Sequence, residues 1–402
     1  MSLRPRLRPL ELFPVDADGE VIICVRDPSG LAERAFLRRP AAFLAILCDG
    51  TRTIAEVAQE FTRRTGVAVT DAVVENMVGQ LDDALFLEGP RLIAARQAVA
   101  DEFRASPHRP AAHAGACYPE GGEELRAYLA AFEAKAEPSG VAPRAEPLAG
   151  LVVPHIDFNR GGPVYARVYR ALGEPPDLVV VFGTDHNAGT EPFSLTRKPY
   201  ATPLGEVPTD VALVDALAAE LGDWVFADEL HHKHEHSIEF QAVWLRYLYG
   251  ERTPPILPVL CGSLHREVER GGAPDGHARR AAFLDALARA VAGRRVLVVA
   301  GADMAHVGPH FGDAESMGGA EARARVEAED RAALAAAATG DAAAFFAAVA
   351  AVKDRNRVCG LAPIWATLRL LGPRRGVLLD YAQCAADPTD DSFVSIASLT
   401  LM

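Results

Sequence analysis

The 402-residue sequence predicts an α/β fold with a largely parallel or mixed sheet, preceded by a small module of different character. Three observations carry the prediction. Short apolar runs open at Leu151, Leu178, Ile256 and Val296 and alternate with helical patterns, the rhythm of strands joined by crossover helices. Residues 1–95 lack that rhythm and punctuate differently. The length exceeds one ordinary domain, so two are expected.

In the first module, Val21-Ile22-Ile23-Cys24-Val25 reads as a strand, and residues 40–48 as an apolar helix stopped by Asp49-Gly50. Thr53-Ile54-Ala55-Glu56 has capping-box spacing, in which hydroxyl and carboxylate each satisfy an N–H left open at a helix start. Residues 71–84 predict a third helix, with Val73, Val74, Met77, Val78, Leu81 and Leu85 on one stripe. Phe86-Leu87-Glu88 and Leu92-Ile93 read as a short closing hairpin. A strand, three helices and a small wing describe a winged-helix-like α+β module over residues 1–95. Its third helix bears Asp71, Glu75, Asp82 and Asp83, the wrong sign for a DNA-reading helix. The net charge of −13 also argues against a nucleic-acid partner.

Residues 96–110 read as a linker and 111–402 as the α/β domain. Within the latter, the Pro-, Glu- and Ala-rich stretch 134–147 predicts an exposed loop. Helices are expected near 163–172, 211–221, 237–249, 279–291 and 320–337, and late strands near 376–381 and 393–400. The Ala-rich stretch 331–352 is broken by Thr339-Gly340-Asp341 and flanked by charge. It predicts two helices of a water-soluble protein, not a membrane span. Arginines near Met1 are followed by no apolar run, and six cysteines show no regular spacing. A reduced, cytoplasmic protein without membrane attachment is the expectation.

The residues that could carry chemistry sit where strands end. His155 follows one apolar run, His186 follows the next in Gly183-Thr184-Asp185-His186, and His306 closes the run from Val296, sharing its turn with Asp303. Cys359 precedes Gly360 and an apolar helix, a position that lowers a thiol pKa and suits a metal ligand or a nucleophile. Parallel sheets bind ligands at the carboxyl ends of their strands. Two imidazoles and a thiolate there suit iron, copper or zinc far better than magnesium or calcium. In the run from His231 to Glu239, His232 and His236 stand four apart without the order of a zinc-protease helix. His231, His232 and His234 read as structural or solvent-facing. Glu235, His236 and Glu239 are better placed, because an apolar helix begins there. Cys24, Cys48, Cys261 and Cys384 read as core residues, and Cys117 stays open.

The order of motifs resembles the Memo family, known in prokaryotes as protein B of the AmmeMemoRadiSam system. The elements are His113-Ala114-Gly115-Ala116-Cys117-Tyr118-Pro119, Pro154-His155-Ile156-Asp157-Phe158, Gly183-Thr184-Asp185-His186, residues 202–210, Glu235-His236-Ser237-Ile238-Glu239, Asp303-Met304-Ala305-His306-Val307-Gly308 and Val358-Cys359-Gly360. Two places depart from the pattern. Cys117 replaces a large residue, and Ile156-Asp157-Phe158 replaces a more usual Ala-Gly-Tyr, which alters the pocket wall. Memo proteins are similar in fold to class III extradiol dioxygenases, non-haem iron enzymes with two histidines and a carboxylate at the metal. The resemblance implies His155, His186 and Cys359 as metal ligands, with Fe(II) ahead of zinc or copper. It implies Asp303 and His306 in the same cavity, His306 as acid or base, and His236 beside the ligands or substrate.

Residues 10–95, through the run Leu47 to Val57 and the ending Leu85-Phe86-Leu87, resemble PqqD-like domains, which hold precursor peptides for modifying enzymes. That implies a peptide or protein partner, added as a strand at an exposed edge near residues 21–25, and family context implies a radical-SAM enzyme as another. Three functions are open: a mononuclear non-haem iron enzyme for redox or O2-linked chemistry on a small molecule or peptide, a non-catalytic partner-binding protein, and a zinc or copper protein.

Overall fold

The apolar run at 21–25 is the middle strand of a three-stranded antiparallel sheet in the computed structural model, which describes residues 4–17, 19–27, 30–136, 148–187 and 189–402. The strands are β1 (Glu11–Ala17), β2 (Glu20–Arg26) and β3 (Ala35–Arg38). Both sides of β2 are paired, so the open edges belong to β1 and β3, not to residues 21–25. Pro14 in β1 hides that strand from a sequence reading, yet a residue without an N–H is tolerated on an edge. Val25, with Leu12 and Ala35, packs against the helices that follow.

Those helices are α1 (Arg39–Leu47), α2 (Ile54–Thr65), α3 (Asp71–Asp83) and α4 (Pro90–Ala105). The Thr53 capping box is present in full. No closing hairpin follows α3 among the described residues. Leu87 makes one bridge to Leu7, and Leu92 and Ile93 lie in α4. Pro90 explains the difference, since its fixed φ and missing N–H suit a helix start. The helix runs to Ala105, through most of the stretch expected as linker. The chain divides into two compact units, Met1–Ser106 and Pro107–Met402.

The second unit opens with α5 (Gly122–Lys135), β4 (Gly150–Val153), α6 (Phe158–Tyr169) and β5 (Leu178–Thr184). Residues 137–147, most of the expected loop, lie outside the described residues. Asp157 caps α6 by accepting the Arg160 amide, so this helix begins well before Pro163. Then come β6 (Phe193–Leu195), α7 (Val211–Leu221), α8 (His236–Tyr249), β7 (Ile256–Cys261), α9 (His265–Arg270), α10 (Ala278–Ala290), β8 (Val296–Gly301) and β9 (His306–Val307). The unit ends with α11 (Ala320–Ala337), α12 (Ala342–Ala351), α13 (Leu361–Leu371), β10 (Gly376–Ala385) and β11 (Phe393–Leu401).

The strands form one mixed sheet, ordered β10-β11-β4-β8-β5-β7-β6, with β9 paired to β11 off that path. The central four, β4, β8, β5 and β7, are parallel. Alternate residues of β5 serve opposite cores. Val180 and Phe182 join Leu213, Phe283, Leu334 and Trp365 on one face, while Val179 and Val181 join Leu129, Tyr165, Val243 and Trp244 on the other. Burial on both faces is why these strands read as continuous apolar runs. α8 lies so close to the strand ends that a Cβ on Gly183 would come within 2.5 Å of the Ser237 hydroxyl, and one on Gly301 would strike the Ser237 carbonyl. No helix among the described residues is long and apolar enough to cross a membrane. All six cysteines are free; Cys24, Cys48 and Cys261 are buried as expected, while Cys384 and Cys117 are half-buried.

Candidate metal centre

Three neighbouring parallel strands deliver the site. β4 ends two residues before His155, β5 two before His186, and β8, between them, two before Asp303. Cys359 arrives from the far end of the chain at the start of α13, where Gly360 donates its amide to the Asp303 carbonyl at 3.0 Å. Ligand atoms of His155, His186 and Cys359 all lie within 4.8 Å of one another.

The hydrogen bonds decide which nitrogens are available. His155 Nδ1 lies 2.9 Å from the Gly301 carbonyl, which can only accept, so Nδ1 carries the proton. The free Nε2 lies 3.1 Å from Cys359 Sγ. His186 Nδ1 stands 3.1 Å from both Glu235 oxygens, and its amide donates to the same carboxylate at 3.1 Å. Histidine ligands in proteins usually have this support, an acceptor on one nitrogen freeing the other for metal. The two rings meet at 80° with centroids 5.0 Å apart. Burial keeps His155 neutral, pulling its pKa to about 3. Burial also acts to lower that of His186, but Glu235 and Cys359 together hold it well above the ordinary imidazole value. Burial pushes the Cys359 thiol up, with His186 opposing. The donor set fits a borderline or soft transition metal, and the side chain of His186, 36% exposed, leaves one side of the set open.

Glu235 caps α8 by accepting the Ser237 amide, and its Oε1 is 3.2 Å from His236 Nδ1. Despite its burial, His186 and His236 hold the Glu235 carboxyl well below its usual range. His236 stacks on His186 at 4.8 Å and stands edge-on to His155 at 5.2 Å. Asp303 accepts the His155 amide at 2.7 Å and the Ile156 amide at 3.2 Å, fixing the loop that presents His155. Burial raises its pKa. His306 donates its amide to the Asn356 carbonyl, and its Nδ1 lies 3.2 Å from the Met304 carbonyl. Burial pulls its pKa to about 4, against the charge of Asp303. The structure therefore gathers His155, His186 and Cys359 as one group, with His236 and Asp303 in contact with them.

The remaining histidines of the 231–239 run divide. His232 is fully buried, bonded to the Tyr200 hydroxyl at 2.9 Å and the Ser194 carbonyl at 3.1 Å. It sits in a short 3-10 turn outside α8, so its spacing from His236 is not that of two ligands on one helix. His231 is 2.8 Å from Asp185. Glu235 and Glu239 stand out in the sequence because an apolar helix begins there, but nothing in it marks Arg109, whose guanidinium is buried against Glu239.

An α/β domain with imidazoles and a thiol at the carboxyl ends of its parallel strands belongs to the class that builds ligand sites at that edge. Residues 109–400, nearly all of the second unit, match the family described as Memo-like protein. The chain is 29% identical over 315 residues to a MEMO1 family protein of Aquifex aeolicus, covering 78% of each chain. It is 31% identical over 264 residues to a MEMO1 family protein of Thermus thermophilus, covering 65% of this chain and 74% of that one. A MEMO1 family protein of Methanosarcina mazei is 31% identical over 266 residues, 65% of this chain and 88% of its own. The chain belongs to the Memo-like family.

Proposed function

We propose that this Memo-like domain is a mononuclear metalloenzyme, with Fe(II) as the metal and a redox or O2-linked reaction on a small molecule or peptide side chain. One observation carries the reading: two imidazoles, each with Nδ1 held by an acceptor, converge on one thiol. Bound Fe(II) would supply one-electron chemistry and open positions for dioxygen or substrate. Around it, Glu235 orients His186, the Gly301 carbonyl orients His155, and Asp303 fixes the loop between. His306, neutral by burial, serves as the acid–base group, and His236 contacts the substrate.

The test is metal analysis of protein purified without oxygen, paired with loading by Fe(II), Zn(II) and Cu(I) in turn. One equivalent of iron, lost with Cys359→Ser, is expected. Stoichiometric zinc or copper that excludes iron would replace this reading with that of a zinc or copper protein. For residues 1–106 the proposal is a PqqD-like module that holds a peptide or protein partner by adding a strand at the edge of β1 or β3, and the Memo-like family context adds a radical-SAM enzyme as a separate partner.

A further inference from the structure

One helical turn beyond Glu235, α8 carries a second buried carboxylate, Glu239. Its Oε1 accepts the His113 amide at 3.0 Å and the Tyr118 hydroxyl. Its Oε2 accepts the Arg109 guanidinium and lies 2.9 Å from His113 Nδ1. Burial is the largest influence and opposes ionisation, yet Arg109, His113 and Tyr118 together hold the carboxyl down at about 2. An ionised carboxylate only accepts hydrogen bonds, so His113 donates from Nδ1 and keeps a lone pair on Nε2 when neutral.

Part of this cluster has an architectural purpose. Arg109 also donates to the carbonyls of His232 at 2.8 Å, Glu235 at 2.6 Å and Pro110 at 2.6 Å, fastening the approach to α8. That purpose accounts for Arg109, Glu239 and Tyr118, all buried. It leaves His113 unexplained. The His113 side chain is 23% exposed, and its ring meets that of His236 at 5.7 Å. From His236 the row continues to His186 at 4.8 Å and His155 at 5.0 Å. An imidazole with a fixed tautomer thus stands at the outer end of the row that leads to Cys359.

We propose that His113 is a further proton acceptor of this site, presenting its Nε2 lone pair to a bound molecule that carries an acidic hydroxyl or an ammonium group. In the transfer the O–H or N–H bond of that molecule breaks, its electron pair stays on oxygen or nitrogen, and the proton adds to Nε2. The imidazolium formed is matched by Glu239 across the Nδ1–H bond. The chemistry served rests on the metal-site reading above; the fixed tautomer does not, because the bonds to Glu239 that set it use none of the three proposed ligands.

The test uses the full chain, metal-free and labelled with 15N at histidine, in long-range 1H–15N correlation NMR, with His113→Gln for assignment. The expected His113 is protonated on Nδ1 and bare on Nε2; an Nε2–H tautomer overturns the proposal. Diethyl pyrocarbonate, which acylates a bare imidazole nitrogen, provides the second arm, with sites mapped by mass spectrometry. His113 is expected to react, and Glu239→Gln to slow it about tenfold, because a neutral amide no longer enforces the tautomer. An unreactive His113 overturns the proposal. If Glu239→Gln fails to fold, the tautomer in the unaltered chain still decides. In the third arm His113→Gln keeps its metal content; a loss equal to that of His186→Ala makes His113 a ligand and sinks the idea. Failure of the unaltered chain to bind metal would instead end the metal-site reading and leave the first two arms standing.

Discussion

His186 and His306 offer the same imidazole chemistry from different supports, and the supports separate their roles. His186 has Nδ1 held by Glu235 and converges with His155 and Cys359, whereas His306 is steadied by a backbone carbonyl and lies outside the group of converging ligand atoms. His186→Ala is therefore expected to abolish metal retention, and Glu235→Gln to weaken affinity by about 10–100-fold. His306→Ala is expected to keep its metal and lose turnover. Equal metal loss in the two histidine variants, measured after identical anaerobic loading, would refute the division. A different buried group, Asp330, makes stability depend on pH. It accepts hydroxyls of Ser395 and Tyr381, and burial lifts its pKa from 3.8 to about 6. Between those values the folded state binds more protons than the unfolded, so stability falls as pH rises from about 4 to 6, by ~3 kcal/mol for a shift of about two pKa units. Asp330→Asn removes that loss, and the gap between variant and wild type in denaturant unfolding should change by ~2 kcal/mol between pH 4.5 and 7.5, because part of the loss is complete by pH 4.5. A constant gap would show that Asp330 titrates normally. His155, His186 and Cys359 were legible in the sequence because each sits beside a strand end or helix start. Arg109 was not, since its partner Glu239 lies 130 positions away and no local pattern records such a pair.

At the scale of elements, the first turn of α8 is the part on which the site depends. Its cap, Glu235, orients His186 and His236, and the helix reaches them only because Gly183, next to last in β5, and Gly301, last in β8, leave it room. Gly301→Ala places a methyl against the Ser237 carbonyl, and the helix must shift. Overpacking of this kind costs ~1–3 kcal/mol. The expected outcome is a lower Tm together with weakened metal retention; a lower Tm with unchanged metal affinity would show that the carboxylate follows the displaced histidine. The helices at Val211–Leu221 and Ala320–Ala337 were readable from the sequence, as was the capping box at Thr53, because their signals are local. The strands β1, β3, β6 and β9 were not. They are short or interrupted, and β1 and β3 owe their existence to pairing with β2. The helix α4 was mistaken for a wing and a linker although Pro90 marks its start.

At the scale of the molecule, the family match stops where the first unit begins. Residues 109–400 account for the Memo-like domain, and Met1–Ser106 has its own sheet, capped helix and core of Val57, Phe61, Val74 and Leu81. A unit with a self-contained core is expected to unfold separately, so calorimetry of the full chain should resolve two transitions, and removal of residues 1–106 should abolish one without lowering the metal content of the other. The outer face of its small sheet aligns Phe13, Cys24 and Phe36 in one cross-strand row, with Phe36 56% exposed, between the open edges of β1 and β3. Strand addition would draw a partner's backbone to such an edge and its apolar side chains to that face. Duplex DNA would meet Asp71, Glu75, Asp82 and Asp83 on α3, which repel phosphate. The full chain is therefore expected to bind peptides with alternating apolar residues, and to lose that binding on Phe36→Glu without losing metal. Tight DNA binding that weakens steeply with salt would overturn the peptide reading. A single unfolding transition would mean that the unit depends on the Memo-like domain for its stability, and the peptide test would then decide whether it does more than pack.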